Sequence, residues 1–188
     1  MDILGIFSAF GLSASAGLNA YIPLLVVALL ARFTNLLKLQ QPWDALSSWW
    51  IIGLLIILSL VEFFADKFPA VNHINDIIQS FIRPAAGAIL FAASANVLTE
   101  VSPILSLACG LFVAGGVHVV KSAMIRPAVT ATTAGAGNVP VSILEDVVST
   151  IVSVLSVLIP ILVVVFAIII IAWIISSRQS KKSYQDRI

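Results

Sequence analysis

Apolar residues run through this chain in blocks. Residues 3–31, 48–64, 84–98, 103–125 and 147–175 form five stretches almost free of charge. A helix needs about 20 apolar residues to cross about 30 Å of hydrocarbon. No stretch alternates polar and apolar positions as a barrel strand does. Backbone in lipid must bond to itself, so each block is predicted to be helical. The first is too long for one straight span and carries Asn19 and Pro23 near its middle, where a break is expected. The second opens on Trp49-Trp50, an interfacial pair. The third is short and rich in Ala and Gly, and reads as a tilted span or a re-entrant piece. The fifth is expected to bend at Pro160.

Between the second and third blocks, Ile74, Ile77, Ile78, Phe81 and Ile82 make one apolar stripe at helical spacing. His73, Asn75, Asp76, Gln79 and Ser80 fall on the opposite face. This pattern predicts a short amphipathic helix over 72–83 lying in the interface plane. Pro84 then suits the first turn of the next helix. Residues 130–140, with Gly135, Gly137 and Asn138, read as a loop.

The expected fold is therefore all-α. It is a polytopic helical membrane domain over 1–176, with about five transmembrane segments and one interfacial helix. A polar tail follows over 177–188. Arg178, Lys181, Lys182 and Arg187 place that tail in the cytoplasm. Five crossings put Arg32 and Lys38 inside, as the positive-inside rule prefers, and Lys67, Arg83, Lys121 and Arg126 outside, against it. Either a protein site holds those four, or the third block does not cross and there are four crossings.

Composition agrees. Apolar residues make up 60% of the chain and charged residues 10%, against about 25% charge in a soluble domain. The net charge of +1 offers no field for nucleic acid. Only Met1 and Asp2 precede the first block, so it lacks the basic start of a signal peptide and is read as retained. Cys109 is alone in an apolar run. No phosphate loop, metal-ligand pair or nucleophile set stands out, so no enzyme activity, cofactor or metal is expected.

The chemistry must lie in the few charges beside or within the blocks. Hydrocarbon penalises such groups by several kcal/mol, so they are paired, water-facing or functional. Glu62 and Asp66 are four apart on one helix face, with Lys67 adjacent. They suit a cation or proton site, or an interfacial ion pair with Lys67 or Arg83. His118 and Lys121 are three apart and share a face, and Gly115 and Gly116 just before them permit close helix approach. Lys121 needs a carboxylate unless it snorkels, and Glu62 and Glu145 are the candidates. Arg83-Pro84 and Arg126-Pro127 each set a guanidinium at a helix boundary, suited to an anionic group or to lipid headgroups. Ser142 and Glu145 have capping-box spacing, with Asp146 beside them at a helix start. Gly11-Leu12 and Gly17-Leu18-Asn19 echo Gly110-Leu111 and Gly116-Val117-His118 at a constant offset, as a repeat in a transporter would.

Five motifs resemble a known family: Ala16-Gly17-Leu18-Asn19-Ala20-Tyr21-Ile22-Pro23-Leu24, Val61-Glu62-Phe63-Phe64-Ala65-Asp66-Lys67-Phe68-Pro69, Arg83-Pro84-Ala85-Ala86-Gly87-Ala88, Gly116-Val117-His118-Val119-Val120-Lys121 and Ser142-Ile143-Leu144-Glu145-Asp146-Val147. Over residues 10–160 the chain resembles domain-of-unknown-function family 4126, small multi-pass bacterial membrane proteins. The resemblance implies a membrane protein and carries no chemistry. The reading of the residues is a buried polar site of Asn19, Glu62, Asp66, Arg83, His118, Lys121 and Glu145 in a small inner-membrane transporter or lipid-headgroup translocator. The alternative is a non-transporting scaffold or accessory subunit in which the same charges merely pair. The lipid bilayer is the expected partner. A homodimer through the Gly-rich faces of the first and fourth blocks is also expected.

Overall fold

The computed structural model describes residues 3–67, 69–94, 102–160, 165 and 168–170, and the side chains of all of these except 3 and 69–74. Among the described residues the regular elements are helices: α1 (Ile3–Leu18), α2 (Tyr21–Phe33), α3 (Trp49–Ala65), α4 (Pro69–Ser94), α5 (Pro103–Val120), α6 (Arg126–Thr133) and α7 (Asn138–Leu158). A short 3-10 turn at Trp43–Ser47 precedes α3, and a π turn at Lys121–Ile125 joins α5 to α6. Asn75–Ser94, Pro103–Thr133 and Asn138–Leu158 are long and apolar enough to cross a bilayer, and Leu4–Leu18, Tyr21–Phe33 and Trp49–Ala65 are shorter apolar helices. This is an all-helical membrane protein. Large apolar side chains such as Trp50, Ile57, Phe81 and Phe112 face outward, as lipid contact requires.

Side-chain pairs fix the helix directions. Ser8 reaches Ser156, Ser15 reaches Ser149 and Ser153, and Asn19 reaches Asp146, so α1 and α7 run antiparallel. Ser13 bonds the Gly87 carbonyl, and Phe10 packs edge-on against Phe91, which sets α4 antiparallel to α1. α5 returns along α4, with Gly110 opposite Gly87 and His118 opposite Arg83. α2 and α3 form a hairpin whose connected end is pinned by Arg32 stacked 4.9 Å over the Trp49 ring.

The contact of α1, α4 and α5 depends on missing side chains. A Cβ on Gly17 would lie 2.5 Å from the Ala114 carbonyl oxygen and 2.6 Å from Val117 Cβ. A Cβ on Gly110 would meet the Gly87 carbonyl and lie 2.6 Å from Phe91 Cβ. Small residues let membrane helices approach to backbone contact, where dispersion replaces the hydrophobic effect as the attraction. The Gly-rich faces expected to join two copies are thus largely occupied within one chain, although Gly116 has open space around it.

Several expectations need correction. The break in the first block falls at Asn19-Ala20 alone, and Pro23 sits buried in the first turn of α2, where its missing N–H costs no helical bond. The interfacial helix and the third block are one continuous helix, α4, with Pro84 inside it. Its amphipathic stripe is real, yet the polar face turns into the protein: Gln79 and Arg83 are buried while Ile77, Ile78 and Phe81 are exposed. The loop predicted over 130–140 shrinks, because α6 continues to Thr133 and α7 starts at Asn138. Ser142 and Glu145 therefore lie inside α7 and form no capping box; the residue before this helix is Gly137. α7 ends at Leu158, just before Pro160, and the segment that would show the expected bend lies largely outside the described residues. Residues 95–98, most of 161–175 and the tail 177–188 lie outside the described residues.

Candidate functional site: a buried ionic network

Several elements that reach the charge cluster depart there from a regular helix, while α7, which supplies Glu145, runs through unbroken. At the α1–α2 break, Asn19 Oδ1 accepts from the backbone N–H of Tyr21 at 3.1 Å and of Ile22 at 3.0 Å, and so restarts the helix as α2. The break frees the Leu18 carbonyl, which takes a 2.7 Å bond from Lys121 Nζ. α3 ends just past Glu62. In α4, Pro84 follows Arg83 directly and cannot donate to the carbonyl one turn earlier. After α5 comes the π turn, closed by the Arg126 N–H bonding the Lys121 carbonyl. That wider turn brings residues five apart nearly one above the other. Lys121 and Arg126 thus reach the same carboxylate.

Arg83 is the innermost group. Its Nη2 donates to Glu62 Oε1 at 2.9 Å, and both side chains have 0% exposure. The same nitrogen lies 3.6 Å from Asp66 Oδ2. Nη1 lies 3.2 Å from His118 Nδ1, while His118 Nε2 lies 3.0 Å from Ser80 Oγ. Asp66 continues the chain outward: Oδ1 accepts from Asn75 at 2.7 Å, and Oδ2 accepts from Arg126 at 3.1 Å. Arg126 also bonds Glu145 Oε2 at 3.1 Å and Asp76 at 3.4 Å. Lys121 Nζ completes the inner set with a 2.8 Å bond to Glu145 Oε2. A second, smaller group lies alongside, in which Asp146 accepts from Asn19 at 3.0 Å and from Lys67 at 3.3 Å.

The charges balance at the centre. Glu62, Asp66 and Glu145 face Arg83, Lys121 and Arg126, and none of these six side chains is more than 11% exposed. Exposure rises outward, reaching 25% at Asp76. Three inner atoms have no hydrogen-bond partner among the described residues: Glu62 Oε2, Arg83 Nε and Glu145 Oε1. A buried polar atom left unpaired costs about 1–3 kcal/mol, and more when charged. These are places for water, a proton or a ligand.

All seven expected site residues come to this cluster. Glu62, Asp66, Arg83, His118, Lys121 and Glu145 share one bonded network, and Asn19 stands in the adjoining group. Of the two carboxylates considered for Lys121, Glu145 is the partner. His118 contacts a guanidinium and a hydroxyl. Lys67 pairs with Asp146 and caps the Phe63 carbonyl, so it leaves Arg83 to Glu62. The sequence reading missed Asp76 and Asn75 as members and gave Asp146 only a helix-start role. It also passed over the serine stripe of α7 (Ser142, Ser149, Ser153 and Ser156), which is buried along its length. Its spacing of seven, four and three was the available signal.

The family described as Domain of unknown function (DUF4126) matches residues 6–180. The chain belongs to that family. No curated protein and no solved structure matches it. Membership in DUF4126 assigns no chemistry and leaves it to be read from the network itself.

Proposed function

We propose that this DUF4126 protein is a small ion-coupled membrane carrier, not an enzyme, and that the network is its coupling and substrate site. One observation carries the reading: a sealed set of three acids and three bases sits where α1 breaks from α2, where a π turn joins α5 to α6, and beside the proline inside α4. Ion pairs are a poor way to hold helices together, because packed apolar residues of similar volume are often equally stable or better. Broken helices, freed carbonyls and a π turn around a charged site are what a binding site inside a membrane requires. In this reading Glu62 or Asp66 takes the coupling ion, and Arg83, Lys121 or Arg126 holds an anionic group on a small solute or a lipid headgroup. The exposed end at Asp76 is the aqueous side of this closed state. The basic residues of 177–188 support a cytoplasmic C-terminus in this reading, with the protein in the inner (plasma) membrane.

The second reading is a non-transporting scaffold, favoured by the complete burial of Glu62 and Arg83. Reconstitution in liposomes separates the two. Wild type is expected to move protons or labelled phospholipid under a gradient, and Glu62→Gln and His118→Ala are expected to slow this at least tenfold. Absence of flux under every gradient, with both variants as stable as wild type, would leave the scaffold.

A further inference from the structure

We infer that the ion bound at this site is a proton and that Glu62 is the group that takes it. The inference deepens the carrier reading and rests on it only for what the proton then drives.

The three inner carboxylates differ in which of their lone pairs are taken. Asp66 uses both oxygens, one for Asn75 and one for Arg126. Glu145 Oε2 receives both Lys121 and Arg126. Glu62 Oε1 receives Arg83, and its Oε2 is buried with no partner among the described residues. A metal ion needs several oxygens around one point, six or more for calcium and magnesium. Here the unclaimed carboxylate oxygens, Glu62 Oε2 and Glu145 Oε1, belong to opposite ends of the bonded series Glu62, Arg83, Asp66, Arg126, Glu145, with guanidinium groups between. Among the described residues no three His, Cys, Asp or Glu side chains are grouped to hold a metal. A proton needs only one lone pair.

The groups facing Glu62 are Arg83 from α4, Lys121 from the π turn, Tyr21 from α2 and Asp66 just beyond its own helix. His118 from α5 stands behind Arg83 and accepts its Nη1 bond. Uptake is a plain protonation: a proton bonds to Glu62 Oε2, the carboxylate becomes a carboxylic acid, and no covalent bond breaks. Arg83 keeps Asp66 and His118. The inner set then passes from balanced to one net positive charge. An uncompensated buried charge is costly, so uptake is favoured when an anionic group arrives with the proton. Arg83 Nε, buried without a partner among the described residues, is the donor available to it. The substrate class is accordingly a monoanionic group moving with one proton.

Infrared difference spectroscopy tests this on the full chain in lipid nanodiscs, comparing acidic and alkaline buffers and reading the carboxylic-acid C=O band. Wild type is expected to show a titrating buried carboxyl. Glu62→Gln removes the band, Glu62→Asp shifts it, and the loop variant Asp44→Asn leaves it in place. Sodium chloride does not substitute for acid. A band that survives Glu62→Gln, or one that Glu62→Asp fails to shift, overturns the assignment. The Asp variant keeps the test open if the Gln variant does not fold. Liposome flux separates the two claims. A titrating Glu62 with no flux keeps the proton site and removes the carrier, while sodium-driven flux with a silent Glu62 does the reverse.

Discussion

Arg83 Nη1 lies 3.2 Å from His118 Nδ1, and because a guanidinium can only donate, the imidazole nitrogen must accept. The ring hydrogen is therefore on Nε2, which donates to Ser80 Oγ at 3.0 Å, and Ser80 passes its own hydrogen to the Asp76 carbonyl. Nitrogen-15 NMR of labelled protein is expected to show the Nε2–H tautomer of His118. A signal from the Nδ1–H form, or from a doubly protonated ring in the folded state, contradicts this geometry.

Removing one partner of the innermost pair exposes its cost. Arg83→Gln leaves Glu62 buried without its cation, and a broken buried pair typically costs about 3–5 kcal/mol. The double change of Glu62→Gln with Arg83→Gln removes both charges and is expected to recover part of that loss. Thermal unfolding in detergent across the four proteins of this double-mutant cycle reads the coupling directly. Additive effects would mean that the 2.9 Å bond does not couple the two side chains.

The glycine contacts separate close packing from mere composition. Gly87→Ala puts a methyl against Ala114 Cβ and 2.8 Å from the Gly110 carbonyl oxygen. Overpacking of this kind costs about 1–3 kcal/mol. Gly116→Ala, on the same pair of helices, has nothing within 4 Å and is expected to be neutral or slightly stabilising. Equal unfolding temperatures for the two variants would refute the backbone contact of α4 and α5.

Membership of the site was legible where one helix face carried it. Glu62 with Asp66, and His118 with Lys121, could be paired from spacing alone. What the sequence hid was register between distant helices. Arg126 read as a boundary residue for an anionic group or lipid headgroups, apart from the Lys121 pair, because in a regular helix a residue five positions after Lys121 points elsewhere; the π turn re-aims it at Glu145, Asp66 and Asp76. Asp76 lay on the face assigned to water, since the amphipathic pattern of 72–83 does not say which side lipid occupies. Pro84 misled for a related reason. Proline ends helices in water, but in a membrane protein packed neighbours tolerate it, and Pro84 lies against Gly115 of α5.

Asn19 does two jobs that substitution can separate. Its Oδ1 caps α2 through Tyr21 and Ile22, while its Nδ2 donates to Asp146. Asn19→Ala loses both, and loss of a cap alone costs about 0.5–2 kcal/mol. Asn19→Asp keeps a capping oxygen but turns a 3.0 Å donor bond into a contact between two carboxylates. Like charges in a buried site repel strongly, so Asn19→Asp is expected to be the less stable of the two at neutral pH. Acidification should narrow the gap, because a protonated Asp at position 19 can again donate to Asp146. Thermal unfolding of both variants as a function of pH checks the order. An Asp variant as stable as wild type at neutral pH would mean that Asp146 does not depend on this donor, and that the α1–α2 break is set by the cap alone.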